Sequence, residues 1–346
     1  MDGSDRDRGR ERADAGRGRE RLGSDLVARV LKGFGLPTPT RIRTIERGSR
    51  RAPKVVVECP EGVFFLKRRR PGAVEAARFT AQLQRRLAAS GCPVPAVRST
   101  LDGEAVLEHE GHVFELVEFV VGDRYPRHPA AAASAGRTLG RLHEEMRNLA
   151  APDRLRGSYH DSSLVREVIA RLPGPEAEAL LDREMLSDRY EHAAEVVRRW
   201  GAGRPVRLVH GDYHPGNLIH APDADGRVQA VLDWEAIRAD QPQIEFAAAA
   251  VHFSLPPSAV DSGRTGLDES LLTAFSSGFG PLHRDTAEVV PDLMLESVVA
   301  ETAFLLDGGV RRDRAERLAG TVSGLIAWID RHRLAISRIV RGEPAR

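Results

Sequence analysis

One short stretch of the sequence, residues 208–219, holds the side chains best suited to catalysis. It is polar, interrupted by Gly and Pro, and bounded by apolar pairs that predict short strands. Asp212 and Asn217 lie within it, and Asp233 follows the next apolar run, Ala230-Val231-Leu232. This spacing predicts a carboxylate on a loop, an amide oxygen at the end of that loop, and a second carboxylate at a strand end.

Metal-dependent phosphoryl transfer needs these three groups. One carboxylate orients and deprotonates the attacking hydroxyl, while an amide oxygen and another carboxylate hold Mg²⁺ on the nucleotide phosphates. Asp212, Asn217 and Asp233 supply the three groups in that order.

The segment from Asp212 to Asp233 resembles the catalytic segment of the aminoglycoside phosphotransferase and choline kinase superfamily, whose members are small-molecule kinases. The resemblance implies that Asp212 is the catalytic base, that Asn217 and Asp233 are metal ligands, and that His210 braces the loop. It implies ATP or GTP with Mg²⁺ as cofactors. It also implies transfer of the γ-phosphate to a hydroxyl of a small molecule, such as an aminoglycoside-, choline- or homoserine-like acceptor.

Two simpler interpretations of the loop compete with this one. His210, Asp212 and His214 stand at alternate positions and could converge on zinc in a hydrolase, although no further His-rich segment completes such a site. Alternatively, Gly and Pro form an ordinary turn, and its polar residues have no catalytic role. The downstream strand with Asp233 favours the kinase interpretation over both.

Composition and charge limit the class of protein. Of the 346 residues, 41% are hydrophobic, enough for a sizeable core. The 51 basic and 50 acidic residues nearly cancel, so we expect neither nucleic acid nor a membrane surface as a partner. Two cysteines are too few for a disulfide framework, which indicates a reducing cytoplasm. No run approaches the roughly 20 apolar residues of a membrane span.

The predicted fold class is α+β, a protein-kinase-like fold with two lobes. Residues 1–22 predict a disordered charged tail, because they hold too little apolar surface to offset the entropy of ordering. Residues 23–121 predict a nucleotide-binding lobe with a small antiparallel sheet. Residues 122–346 predict a larger, mainly helical lobe with the catalytic loop and the acceptor site.

The nucleotide-binding lobe is expected to start with a helix capped by Ser24. A sheet of five or six strands and a helix from about Val74 to Ala89 follow. The strands are predicted at Arg41–Glu46, Lys54–Cys59, Val63–Lys67, Ala96–Leu101, Ala105–Glu108 and Val113–Phe119.

Four residues of this lobe are assigned to the nucleotide by the resemblance. Ser49 lies in a basic turn where a kinase-like fold covers the phosphates, and Lys67 ends a strand as the phosphate-binding lysine. Main-chain groups near Glu118 and Val120 would meet the adenine edge. The simpler alternatives are an ordinary turn, an edge-strand cation and an ordinary buried strand, respectively.

The helix after Lys67 departs from the pattern of the superfamily. Relatives usually carry a glutamate there that pairs with the strand lysine, but Phe79-Thr80-Ala81-Gln82 contains no acid, and Glu75 lies a turn or more earlier. A second hypothesis is therefore a nucleotide-binding kinase-like protein with impaired catalysis. A protein kinase is disfavoured, because no activation segment stands between Asp233 and the helix that starts near Gln241.

The second lobe is predicted to hold long helices, including 134–149, 176–200 and 292–341. His143 is interpreted as a hydrogen-bonded structural residue, and Glu245, where many relatives carry Asp, as a brace of the metal-site strand. Several acids of this lobe are candidates for facing an acceptor pocket, although a solvated helix face would also explain them: Glu235, Asp240, Glu296, Glu301 and Asp307.

Overall fold

The computed structural model describes residues 20–46, 52–69, 72–155, 162–171, 183–223, 225–256, 266–307 and 312–343. The chain divides into two compact units. The first ends at Val120 and excludes Ala89–Val94, which belongs to the second unit together with the residues from Val121 onward. Most of the tail predicted to be disordered and the whole basic turn with Ser49 lie outside the described residues.

The first unit is an antiparallel five-stranded sheet with two helices. Its strands lie in the order β1-β2-β3-β5-β4. The elements are α1 (Ser24–Gly33), β1 (Arg41–Thr44), β2 (Lys54–Cys59), β3 (Gly62–Arg68), α2 (Val74–Ala89), β4 (Leu107–His109) and β5 (His112–Glu118).

Helix α1 covers one face of this sheet. Its buried residues Val27, Val30 and Leu31 recur at helical spacing and join a core that includes Leu66 and Phe114. Each such side chain contributes about 1.5–3 kcal/mol by leaving water. The predicted cap is wrong by one residue: Gly23 is the N-cap, with no side-chain cap bond, and Ser24 is the first helical residue.

Helix α2 covers the opposite face. Its buried Ala77 and Ala81 pack in a cluster with Val113 of β5. Because successive strand residues alternate between faces, Lys67 shares the α2 face, where it pairs in register with Glu115. Lys67 is buried and β3 is the central strand, so the edge-strand alternative for this lysine is wrong.

One predicted strand is absent from the sheet. Among the described residues, Ala96–Leu101 forms no named strand: it pairs with β5 only at the isolated bridge of Val97 with Val117, where Arg98 N–H donates to Leu116 and Glu118 N–H donates to Ala96. The first strand is shorter than predicted: it ends at Thr44 and not at Glu46. The β propensity of these segments favours extended backbone, but it does not determine how far a ladder continues.

The second unit is mainly helical and contains two small sheets. Its helices are α3 (Pro129–Met146), α4 (Ser162–Arg171), α5 (Arg183–Gly201), α6 (Pro242–Ser254), α7 (Glu269–Phe279), α8 (Arg284–Ala287), α9 (Val290–Asp307), α10 (Arg312–Arg331) and α11 (Arg333–Val340). Its strands are β6 (Arg207–Val209), β7 (Leu218–His220), β8 (Val228–Val231) and β9 (Arg238–Asp240).

The two strands that flank the catalytic loop belong to different sheets. Strand β6 pairs with β9 and β7 pairs with β8, in both cases antiparallel. The loop is therefore held at both ends by main-chain ladders, which fix where its side chains start. Among the described residues, no helix is both long and apolar enough to cross a membrane.

Helices α3 and α7 pack closely because glycines line their contact. A Cβ added to Gly136 would overlap the carbonyl oxygen of Phe275, and one added to Gly278 would overlap that of Ala133. Any larger residue at these two positions would push the helices apart.

Helix α9 carries a buried acid that stays protonated near neutral pH. Burial, with a smaller contribution from Asp240, raises the pKa of Glu296 to about 8. Its Oε2 atom has no hydrogen-bond partner in the part of the chain that the structure describes. Glu296 is thus a neutral carboxylic acid packed inside the helical unit.

This acid predicts a loss of stability as the pH rises. Between the ordinary pKa of 4.5 and about 8, the native state keeps the proton of Glu296 while the unfolded chain loses it. The free energy of unfolding of wild type should therefore fall as the pH rises through this window. At the upper end of the window, the free energy of unfolding of Glu296→Gln should be higher than that of wild type by about 1–4 kcal/mol. Urea unfolding across the window measures the difference. The exposed control Glu104→Gln should follow wild type, and equal pH dependence in Glu296→Gln and wild type would contradict the assignment.

Candidate active site

His210 connects the start of the loop to the segment before Asp233. Its Nδ1 accepts the Asp212 N–H at 3.3 Å, and its Nε2 donates to the Leu232 carbonyl at 2.9 Å. The ring also contacts Trp234 edge-on, with centroids 4.7 Å apart. Burial lowers the pKa of His210, which keeps the ring neutral in this fully buried position.

Gly211 allows the chain to turn directly after His210. Residues with a side chain rarely adopt its φ of +86°, and a Cβ at this position would overlap the Ala236 carbonyl oxygen. The buried Arg238 donates to the Gly211 carbonyl at 2.7 Å and to Asp240 Oδ2 at 3.1 Å. The ion pair of Arg238 and Asp240 on β9 therefore fixes the main chain of this turn.

Glu245 on α6 fixes the same turn through its main-chain groups. Its two carboxylate oxygens accept the N–H groups of His210 and Gly211, and Oε2 also lies 2.7 Å from His143 Nε2. Burial opposes the charge of Glu245, but His143 and more distant cations outweigh it and lower the pKa.

The structural role predicted for His143 is thus confirmed. Glu245, by contrast, contacts the catalytic loop instead of the predicted metal-site strand, because its position on the first turns of α6 faces the β6 end.

Asp212 follows this fixed turn and is half-exposed. Asn217 Nδ2 donates to both its carbonyl oxygen and its Oδ2, at 2.9 and 2.8 Å. His214 Nε2 lies 3.5 Å from Oδ1. Partial burial would raise the pKa of Asp212, but the contacts with His214 and Asn217 outweigh it, and the pKa lies below its ordinary value. The group is therefore an oriented carboxylate at neutral pH.

The hairpin of β7 and β8 brings Asn217 next to the Asp233 segment. The Leu232 N–H donates to the Asn217 carbonyl at 2.8 Å, directly beyond the β7–β8 ladder. Asp233 adopts the left-handed region, with φ 60° and ψ 66°. A non-glycine residue held there costs about 1–3 kcal/mol, and such strain concentrates at functional sites.

The residues of this hairpin fit a hard divalent cation. Because Asn217 Nδ2 bonds Asp212, the amide oxygen Oδ1 would be available as a ligand, and Asp233 would add a carboxylate. Amide and carboxylate oxygens with substrate phosphates are a donor set that Mg²⁺ prefers.

The zinc alternative does not fit. Both ring nitrogens of His210 are already bonded, and within the described ranges no group of three or more His, Cys, Asp or Glu could hold a metal. The three residues of the zinc alternative therefore do not converge on one metal ion, since the His210 ring points into the core.

Two of the four nucleotide residues predicted in the first unit lie on its sheet, and Ser49 lies outside the described residues. Lys67 is on β3, Glu118 is the last residue of β5, and Val120 follows two residues later. Sequence reasoning missed Glu115, the register partner of Lys67. Cross-strand partners have Cβ atoms about 4.5–5.5 Å apart, so an acid lies beside Lys67 on the neighbouring strand. Its carboxylate forms an ion pair with the buried Arg69, whose Nη1 lies 3.3 Å from Oε2.

A small cleft, named here the Asp212 cleft, opens beside the catalytic loop within the second unit. Its charged and imidazole residues are Asp212, His214, Arg238, Glu245, His252 and Glu301. Of the acids expected to face an acceptor pocket, Glu301 does line this cleft. Asp240 and Glu296 do not: both are buried, because β9 and α9 turn them into the interior behind the loop.

Comparison with known proteins agrees with this architecture. The model of the phosphotransferase enzyme family matches residues 41–289. The structure of the microcompartment-associated aminopropanol kinase is similar, with a TM-score of 0.66, 17% identity, and coverage of 91% of this chain and 99% of that one. A comparison with curated proteins gives no match.

Two further solved structures share the fold. The aminoglycoside phosphotransferase from Alicyclobacillus acidocaldarius has a TM-score of 0.64 at 14% identity, covering 95% of this chain and 98% of that one. Amicoumacin kinase in complex with AMP-PNP, Ca²⁺ and Ami has a TM-score of 0.60 at 13% identity, covering 88% of this chain and 90% of that one.

The fold and the family model define a phosphotransferase, an enzyme that transfers a phosphoryl group. The chain belongs to the phosphotransferase enzyme family. The predicted α+β, protein-kinase-like fold class is confirmed, with an antiparallel sheet in the first unit and mostly helices in the second.

Proposed function

We propose that the enzyme transfers the γ-phosphoryl group of ATP or GTP to a hydroxyl of a small molecule. One observation carries the proposal: Asp212 is an ionised, half-exposed carboxylate on a loop fixed at both ends, and it is hydrogen-bonded to Asn217. A group held in this way can orient a hydroxyl for attack. Little base strength is needed, because the transition state of phosphoryl transfer is loose.

Each predicted residue takes a distinct role in this proposal. Asp212 aligns the acceptor hydroxyl and accepts its proton late, while His210 keeps the Asp212 main chain in place. Asn217 and Asp233 hold Mg²⁺, which when bound offsets the negative charge of the phosphates. Lys67 contributes a point charge to the phosphates, and Ser49, Glu118 and Val120 complete the nucleotide site.

Nucleotide and metal use are supported by a relative of the same fold. Amicoumacin kinase was solved with AMP-PNP and Ca²⁺. For the acceptor, the similar structures include an aminopropanol kinase, an amicoumacin kinase and a choline kinase. The proposed acceptor is an aminoglycoside-, choline- or homoserine-like hydroxyl compound. Fold alone does not choose among these.

A turnover screen tests the proposal. The purified enzyme is incubated with Mg²⁺, ATP or GTP, and a library of hydroxyl compounds, and nucleoside diphosphate release is followed together with the mass of the product. Acceptor-dependent release with a mass gain of one phosphoryl group is expected. Nucleotide binding without transfer to any compound would instead favour the impaired nucleotide-binding protein suggested by the acid-free middle of α2.

The proposed metal ligands predict a shift in metal requirement. Replacing Asp233 by asparagine removes a charged ligand while retaining an oxygen, so the Mg²⁺ concentration for half-maximal turnover should rise by about tenfold or more. Titration of turnover with Mg²⁺ at saturating substrates measures it. The exposed control Asp223→Asn should keep the wild-type curve. An unchanged requirement in Asp233→Asn would remove this residue from the metal site.

A further inference from the structure

The His252–Glu301 pair in the Asp212 cleft is not used by the roles above. His252 lies on α6 and Glu301 on α9, and His252 Nε2 is 2.8 Å from Glu301 Oε2. Their side chains are 30% and 26% exposed, so both are partly open to the cleft instead of sealed in the core. A polar pair in this position can contact whatever molecule binds beside Asp212.

Glu301 serves to hold His252. One of its oxygens faces the imidazole, and the other accepts the hydroxyl of the buried Ser297 at 3.2 Å. Although burial opposes the charge, Glu301 and Asp212 raise the pKa of His252 above its ordinary value. The neighbouring carboxylates of Glu301 and Asp212 therefore favour the imidazolium form of His252, and the Glu301 carboxylate is already paired with this ring.

The remaining acids of the cleft are committed in the same way. Glu245 accepts two main-chain N–H groups and contacts His143, which leaves Asp212 to face the reacting hydroxyl. In the imidazolium form both ring nitrogens of His252 carry a proton: Nε2 faces Glu301, and Nδ1 can donate to a bound molecule. The cleft thus offers a charged N–H donor.

Contacts through His214 connect His252 with Asp212, the residue that faces the reacting hydroxyl. The His252 and His214 rings have centroids 5.9 Å apart, and His214 in turn lies 3.5 Å from Asp212. The cleft has a volume of about 20 Å³, which is room for one small polar group. An oxygen substituent close to the reacting hydroxyl is what such a donor can reach.

We propose that His252 is a specificity-determining residue: its Nδ1–H binds an oxygen anion of the acceptor, a carboxylate in the simplest case, next to the hydroxyl that Asp212 aligns. Glu301 acts through His252 as a positioning residue. This inference rests on the proposed function and narrows its acceptor to hydroxyl compounds that carry a carboxylate.

Matched acceptors that differ by one carboxylate test the inference. Three such pairs are homoserine and propanolamine, serine and ethanolamine, and glycerate and ethylene glycol. For at least one pair, wild type should favour the carboxylated member by about tenfold or more in kcat/KM, the range of a charge-assisted hydrogen bond. Wild type that favours the member without the carboxylate, or that turns over other hydroxyl compounds but none of these six, would overturn the inference alone.

Two substitutions at His252 separate the donor from the Glu301 contact. In His252→Gln, the side-chain nitrogen can replace Nε2 against Glu301 but nothing replaces Nδ1. The KM for the carboxylated acceptor should therefore rise about tenfold or more, with kcat and the KM for ATP unchanged. His252→Asn places a neutral donor near the Nδ1 position and should recover part of the loss. Glu301→Gln should also raise this KM.

A structural role for His252 would give a different pattern. If His252→Gln lowers kcat/KM equally for both members of a pair, or leaves the KM for the carboxylated member unchanged, the inference is wrong. Thermal unfolding checks that the variants fold, and the exposed His283→Gln, which should behave as wild type, is the matched control. Absence of turnover by wild type with every hydroxyl compound would overturn the proposed function together with the inference.

Discussion

Replacing Asp212 by alanine or asparagine is expected to lower kcat by about 100- to 10,000-fold, the usual contribution of a positioned acid or base. Nucleotide binding should stay close to wild type, because Asp212 is assigned to the acceptor hydroxyl and not to the phosphates. Single-turnover kinetics measures the first quantity, and calorimetric titration with a non-hydrolysable ATP analogue measures the second.

Asp212→Asn is the more informative of the two variants. It keeps the size of the side chain and a polar contact for Asn217, so a loss of rate reflects the lost carboxylate and not a collapsed loop. Asp223→Asn, on the turn between β7 and β8, supplies a matched exposed control. A kcat near wild type in Asp212→Asn would mean that another group accepts the proton.

Replacing Glu245 by alanine should lower the free energy of unfolding by about 3–5 kcal/mol, as expected when one partner of a buried charged pair is removed. It leaves two buried N–H groups, those of His210 and Gly211, without their acceptor, and it leaves His143 without its carboxylate. Turnover should fall as well, because the start of the Asp212 loop loses its support. Urea unfolding and kcat of the folded enzyme measure the two effects, with Glu104→Ala as the exposed control.

The pH dependence of stability distinguishes the charge of Glu245 from its shape. Because its pKa is lowered in the native state, its contribution is present above the ordinary value of 4.5 and is lost as the pH falls through the lower native pKa. Glu245→Gln should therefore be less stable than wild type at neutral pH, and the gap should narrow below pH 4.5. A gap that is constant with pH would show that packing, and not charge, accounts for the loss.

The parts of the site that could be predicted from sequence are local. Asp212, Asn217 and Asp233 follow short apolar runs, and strand alternation and turn residues within a few positions place such groups without knowledge of the rest of the fold. The β2–β3 hairpin and helix α2 were predictable for the same reason. Ala96–Leu101 shows the limit, because its residues favour a strand yet the segment pairs with β5 only around Val97 and forms no named strand.

The parts that could not be predicted depend on packing between distant elements. Glu245 meets His143 across 102 positions of the chain, and Glu301 meets His252 only because α9 packs against α6. No periodicity distinguishes these acids from those on solvated helix faces. Asp240 and Glu296 illustrate the converse, since their sequence context also suits an open pocket although both are buried.

The bond between the Leu232 N–H and the Asn217 carbonyl joins the two proposed metal ligands in one hairpin. A displacement of either strand would therefore move the main chain of both residues together. Because the Asn217 amide is also held by Asp212, an engineer who transplants the two donors would have to move the Asp212 loop together with the hairpin.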